Sequence, residues 1–327
     1  LLQNVTDRMY IAPELSGGSA RPGELTKADI YSLGRLIAFV YTGEPRADLD
    51  DLRIPCAMVE LVQKLTDPDP ARRPDIDAVR ARLENGGGQR LVYAAAACQG
   101  TRPRQEDVLL ANGTLTARPD YTLADTAPCP AAFAVLDGIG GGYGGAEVAH
   151  AAAEALDRAA APYLHMELAD YTQPLAAIFA DAERETKRFM AENGYTRSGA
   201  SAALVIAASR AVYTANLGDS RVYRYTHGAL TQLTRDHRFA LGGRHELYQY
   251  LGASDEDTEI SPTIGKIDRV AGERLLLCTD GVSGKLTDEE LAALLTAHPD
   301  AGEAATAILD AVRESATDNA TVLVVDL

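Results

Sequence analysis

No apolar run in this chain approaches the roughly 18 residues that a membrane-spanning helix requires, and its start has no signal-peptide pattern. A membrane role is therefore not expected. Positive charge is also in short supply: 31 Lys and Arg stand against 47 Asp and Glu, a formal charge of -16. That deficit argues against sequence-independent nucleic-acid binding and against an anionic membrane surface, while metal ions would be attracted. Cysteine is scarce and lacks any CxxC pairing. Cys56, Cys98, Cys129 and Cys278 are the full set, and Cys98 and Cys278 lie in apolar, strand-like runs. Buried reduced thiols in a cytoplasmic setting are expected. The chain opens Leu1-Leu2 without an initiator methionine, so a fragment of something longer is expected.

What the chain does have is a repeated placement of aspartate. Asp107, Asp137, Asp280 and Asp318 each sit where a strongly apolar strand pattern meets a turn pattern. FAVLDG and LLLCTDG stop at an Asp-Gly pair, RPRQED leads into VLLA, and DNA leads into TVLVV. A single Asp-Gly reads as a turn. Carboxylates carried to the ends of separate strands can converge on one point, and hard divalent cations prefer such oxygen ligands.

At 327 residues the chain is long enough for two domains. ENGGGQR loses periodicity and gains three consecutive glycines, which places a Gly-rich linker at residues 85–90, between a domain at 1–84 and another at 91–327. In the first, residues 26–42 form an apolar helix pattern opened by Thr26 as N-cap and stopped at Gly43, and MVELVQKLT and DIDAVRARL read as two more helices. In the second, LVYAAAACQ, AAFAVLDG, ASAALVIAA, RAVYTANLG, SRVYRYT, RLLLCTDG and TVLVVDL read as strands. Alanine-rich helices near 145–163 and 172–192 interrupt them, and two more lie between 287 and 315. This mixture indicates a layered α+β fold rather than a doubly wound sheet.

Residues 91–327 resemble the metal-dependent protein serine/threonine phosphatases of the PPM, or type 2C, family. The resemblance is carried in order by RPRQED, LDGIGGGYGGAEVA, RSGASAALVI, ANLGDSRVYRY, LTRDH, LLLCTDGV and DNATVLVV. It implies an αββα sandwich of two antiparallel sheets flanked by helices, with two Mn2+ or Mg2+ ions at one end. It further implies that Asp107, Asp137 and the carbonyl of Gly138 bind the two-metal centre, that Asp280 and Asp318 complete one ion's ligands, and that Glu106 holds a metal-bound water. Arg102 matches the arginine that grips the substrate phosphate, where a guanidinium makes paired charge-assisted bonds. By the same resemblance a hydroxide bridging the two metals attacks phosphorus in line with the departing serine or threonine oxygen. Asp219 and Arg221 of GDSR and Asp236 and His237 of LTRDH read as turn and supporting residues, with His237 not the general base.

The chain departs from the family pattern at three places. Ile139 stands where many relatives carry a histidine that protonates the leaving group. Thr196 and Gly284 occupy positions that often hold aspartates for a third, weaker metal, so a third ion is not expected. The segment after LTRDH, which in relatives forms a flap over the site, is short.

Residues 9–83 resemble the last part of a protein-kinase C-lobe, through MYIAPE, ADIYSLGRLIAFVYTGE and DPDPARRP. The resemblance implies an ion pair between Glu14 and Arg73 and a structural role for Asp29. No glycine-rich loop, HRD or DFG is present, so this all-α remnant is non-catalytic as it stands. The whole is thus expected to hydrolyse phosphoserine and phosphothreonine in proteins, with a phosphoprotein substrate and a cognate or fused Ser/Thr kinase as partners. A kinase remnant should also expose apolar surface that either packs against the second domain or mediates self-association. The alternative function is a pseudophosphatase or phosphoprotein-binding regulatory module.

Overall fold

The computed structural model describes residues 10–17, 22–44, 56–84, 90–140, 144–164, 168–241, 244–253 and 259–327. Residues 85–89, which make up most of the glycine-rich segment, lie outside the described residues. The chain divides into two compact units, Leu1–Gln89 with Met166–Ala169, and Arg90–His165 with Asp170–Leu327.

The first unit is helical. A 3-10 turn at Pro13–Gly17 precedes α1 (Pro22–Thr42) and α2 (Cys56–Leu65), and a second short turn at Pro70–Arg72 leads to α3 (Ile76–Glu84). The spacing of Ile30, Leu33 and Ile37 gives α1 an apolar stripe, which meets Leu61 and Leu65 of α2 and Val79 of α3. One buried cation ties the loops to this core. Arg73 donates through both terminal nitrogens to Glu14, at 2.6 and 3.0 Å, and through Nε to the Asp67 carbonyl at 2.7 Å. Its guanidinium lies 4.9 Å from the centre of the Tyr31 ring. Asp29 is exposed. Helix α1 includes Thr26 well inside its span, so Thr26 is not its N-cap as the sequence suggested. The predicted stop at Gly43 is observed, with φ +70° and its N–H donating to Phe39 O.

The second unit is a sandwich of two six-stranded antiparallel sheets. One has the order β4-β1-β14-β13-β8-β9, built from β4 (Tyr121–Ala127), β1 (Leu91–Cys98), β14 (Ala320–Asp326), β13 (Arg274–Cys278), β8 (Arg221–Thr226) and β9 (Ala229–Gln232). The other has the order β12-β7-β6-β5-β2-β3, from β12 (Thr263–Asp268), β7 (Ala211–Leu217), β6 (Gly199–Ala207), β5 (Ala131–Ile139), β2 (Val108–Ala111) and β3 (Thr114–Thr116). A small hairpin, β10 (Arg238–Leu241) with β11 (Arg244–Leu247), follows LTRDH.

Period-two alternation decides which layer each side chain joins. Tyr93, Ala95, Leu323 and Val325 face the space between the sheets, where they meet Phe133, Val135 and Val205. Their neighbours Ala94, Ala96, Val322 and Val324 face the other way, onto Leu291 of α7 (Asp288–Ala297) and Ile308 and Leu309 of α8 (Ala301–Arg313). On the opposite sheet α4 (Gly145–Leu164) covers β5 and β6, and α5 (Thr172–Asn193) packs on α4 and β12. The αββα layering expected from the sequence is therefore present. Strands β3, β4, β9 and β12 and the β10–β11 hairpin were not resolved by pattern alone, because several are short and carry polar residues on an exposed face.

Candidate active site: a carboxylate cluster at the sheet ends

The four singled-out aspartates come from four separate places in the fold. Asp107 immediately precedes β2, Asp137 lies in β5, and Asp318 stands two residues before β14. Asp280 differs from expectation. Strand β13 ends at Cys278, and Asp280 opens a short helix, α6 (Asp280–Ser283), with Thr279 as its N-cap. Neither Asp-Gly pair is a turn. Gly138 sits within β5 and Gly281 within α6, and each glycine is required by a close approach. A Cβ on Gly138 would lie 2.5 Å from Gly145 O, and one on Gly281 would lie 1.9 Å from Asn319 O.

Asp107 is the most constrained member. Its Oδ2 accepts from Thr279 Oγ1 and from Thr321 Oγ1, both at 2.8 Å. Its Oδ1 is buried and has no partner among the described residues. Burial pushes its carboxyl up to about 7, opposed by the two threonine hydrogen bonds and reinforced by the charges of Asp280 and Asp318. Asp137 is held well above the carboxylate range by burial and by Asp107, Asp280, Asp219 and Asp318. Asp280 is raised by burial and by Asp318, opposed by Asp137 and by the charges of Arg238 and Arg102. These mutual effects place the four carboxylates in one electrostatic cluster.

Arg102 closes over one side of it. Its NH2 donates to Asp318 Oδ2 at 2.6 Å, and this bond, with the charges of Asp318, Glu106 and Asp137, holds its pKa above the usual arginine value. Asp318 Oδ1 accepts from the N–H of Asn319 at 2.9 Å. Glu106 is buried beside Asp107, and its carbonyl accepts from the Gly138 N–H at 3.2 Å. The loop is braced by Asn319, whose Oδ1 accepts from the Glu106 N–H at 2.8 Å and whose Nδ2 donates to the carbonyls of Gln99 and Arg104.

Sequence reasoning missed Thr279, Thr321 and Asn319, although all three stand inside the quoted LLLCTDGV and DNATVLVV segments. It also set Asp219 apart from the cluster. Asp219 is buried and pushed up to about 6, first by burial and then by the charge of Asp280. The other supporting residues behave as a brace: Arg221 forks onto Asp236, with Nε–Oδ1 at 3.0 Å and NH2–Oδ2 at 2.7 Å. His237 accepts from the Gly218 N–H through Nδ1 at 3.2 Å, which leaves Nε2 as donor to Thr263 at 2.8 Å. Burial lowers its pKa, so it is a neutral strut between strands.

The donor set suits hard divalent cations in its chemistry, since it is all oxygen and leaves one buried Asp107 oxygen unsatisfied. Among the described residues, no group of three or more His, Cys, Asp or Glu side chains is arranged so that it could hold a metal ion as the side chains lie, and Asp318 is engaged by Arg102. Thr196 is exposed, and Gly284 caps α6 without offering a side-chain ligand.

The family profile described as Protein phosphatase 2C matches residues 116–318. The serine/threonine protein phosphatase PstP of Mycobacterium tuberculosis is 33% identical over 125 residues, 34% of this chain and 24% of that relative. The match thus spans about a quarter of the curated relative's length. The crystal structure of the PstP catalytic domain in complex with two manganese ions is 24% identical, with a TM-score of 0.57, covering 73% of this chain and 99% of that chain. The phosphatase MsPP from Mycobacterium smegmatis, solved with cacodylate, is 25% identical with a TM-score of 0.56, covering 72% and 97% respectively.

Proposed function

The chain belongs to the protein phosphatase 2C family, and we propose that it hydrolyses phosphoserine and phosphothreonine in proteins with the help of two divalent cations, Mn2+ or Mg2+. The observation that carries this reading is the electrostatic cluster of a buried Asp107 with the partly buried Asp137, Asp280 and Asp318, one oxygen of Asp107 being left unsatisfied. The ligands assigned are those four side chains and the Gly138 carbonyl, with Glu106 orienting water beside them. Paired cations bound there offset the phosphate dianion and ionise water near neutral pH.

The chain's own residues do the rest. Thr279 and Thr321 fix Asp107 through Oδ2 and leave Oδ1 free to ligate. Arg102 is placed to hold nonbridging phosphate oxygens once it gives up, or shares, its bond to Asp318. Ile139 has no proton to give, so the departing serine or threonine oxygen would take its proton from water or from a metal ligand. Water's oxygen forms the new bond to phosphorus as the ester P–O bond breaks, which needs no covalent intermediate on the protein.

For residues 9–83 we propose a partial protein-kinase C-lobe acting as scaffold, supported by the Glu14–Arg73 pair, in which the guanidinium is buried and the carboxylate partly so. A cognate or fused Ser/Thr kinase is the partner that this pairing of units suggests. No described helix is long and apolar enough to cross a membrane. The test is release of phosphate from a phosphothreonine peptide with manganese present and then chelated. Manganese-dependent turnover supports the proposal. Its absence in a folded protein contradicts it and favours a binding module.

A further inference from the structure

On the same unit, beside the carboxylate cluster, lies a cleft of about 920 Å³ whose walls include Arg104, Gly140, Glu147, Tyr195 and Arg197. Arg104 feels the charge of Glu106, and Gly145, next to the cleft's Gly144, lies against the Glu106 carboxylate and Gly138, so the cleft adjoins the loops that carry Glu106, Asp107 and Asp137. Its volume falls in the range of sites that hold several side chains or a small ligand.

The wall chemistry is mixed in a specific way. Arg104 NH2 pairs with Glu147 Oε1 at 2.7 Å, so that cation is compensated. Glu147 Oε2 is buried and has no hydrogen-bond partner among the described residues. Arg197 is exposed and has no hydrogen-bond or ion-pair partner among the described residues. Tyr195 supplies an aromatic face packed on the backbone of Gly144. A bare anion would satisfy Arg197 but not Glu147. A peptide satisfies both, offering a backbone N–H to the carboxylate oxygen and an anionic side chain to the guanidinium. The charge of -16 on the chain as a whole repels acidic peptides, so an uncompensated arginine at this rim has a local effect that the rest of the surface opposes.

We propose that this cleft binds the peptide flanking the phosphorylated residue, and that Arg197 selects an anionic side chain there, either a carboxylate or a second phosphate. This rests on the phosphatase reading of the neighbouring cluster.

The test uses the full chain with manganese and labelled peptides carrying a non-hydrolysable phosphonate in place of the phosphoester. Their flanking positions hold alanine, glutamate or a second phosphonate, and binding is read by fluorescence anisotropy. Wild-type protein should prefer the anionic peptides over the alanine peptide by about 5-fold, the size of one solvent-accessible ion pair. Comparing the glutamate and phosphonate peptides identifies which anion is read. Arg197→Glu should abolish or reverse the preference, and Arg197→Gln should reduce it. A wild type without preference, or an Arg197→Glu variant that keeps it, overturns the proposal. Turnover of the matching phosphoester peptides is followed separately: absent turnover with an intact anisotropy preference would sink the phosphatase reading and leave the cleft's peptide recognition standing.

Discussion

Replacing Thr321 with valine removes one hydroxyl and almost no volume, and so isolates how much the cluster depends on the support of Asp107. Thr321 is 1% exposed, so the valine methyl fills the same buried space. The lost interaction is a 2.8 Å hydrogen bond from Oγ1 to Asp107 Oδ2, leaving Thr279 as the remaining side-chain donor to that oxygen. A hydrogen bond to a charged group contributes about 1.5–3 kcal/mol, or roughly 10- to 150-fold in an equilibrium constant. Loss of an outer partner of a metal ligand typically costs about 10- to 100-fold in metal affinity, which agrees. The direction follows from protonation as well. Both threonines favour the charged carboxylate, so removing one raises the Asp107 pKa further from its value of about 7. A proton then competes more strongly with the cation, and the defect should be larger at low pH than at high pH. The assay is calorimetric titration with Mn2+ at several pH values, with circular dichroism to show that the fold persists. A folded Thr321→Val variant with wild-type manganese affinity at every pH would refute the reasoning.

Three further outcomes are expected. Arg102→Ala should weaken substrate binding by about 1.5–3 kcal/mol, seen as a raised KM, while manganese affinity holds or rises because a competing cation leaves Asp318; unchanged KM and rate would remove Arg102 from substrate binding. Arg73→Ala should cost about 1.5–3 kcal/mol in urea denaturation, because it removes a fully buried guanidinium with its bonds to Glu14, Asp67 and Lys27, and an undestabilised variant contradicts a structural role for the pair. In metal-chelated protein, Asp107 with a folded pKa of about 7 binds more protons folded than unfolded, so its contribution is present below the unfolded value of 3.8 and is lost as pH rises through about 7. The melting temperature of chelated protein should therefore fall as pH rises across that window, and a rise would show that burial does not hold the Asp107 carboxyl in its neutral form as described.

The ends of the strands were legible because burial leaves little choice of residue there. In β14 the run TVLVV serves two apolar layers, Leu323 and Val325 inward and Val322 and Val324 toward α8, and the run stops where polar residues begin. The aspartates stand out against such runs. Their supporting threonines do not, since a threonine inside a β pattern is what strand propensity alone would place there. That Thr321 reaches Asp107 across 214 residues, and Thr279 across 172, is a consequence of sheet order. Local patterns carry no record of that order. Asp280 misled for a related reason: DGV reads as a strand-ending turn, while the backbone enters one turn of helix and needs Gly281 for its approach to Asn319. The place of Asp219 beside Asp280 was hidden in the same way, since GDSR reads locally as a turn.

The most direct test is the turnover of a phosphothreonine peptide by Asp280→Asn beside the wild type, both under saturating manganese. Asparagine keeps the shape of Asp280 and the opening of α6 but removes the charge that the cluster would share with a cation. Wild-type protein should release phosphate, and the folded variant should be reduced to background. Wild-type turnover in Asp280→Asn would contradict the assignment of these carboxylates as the metal-binding centre.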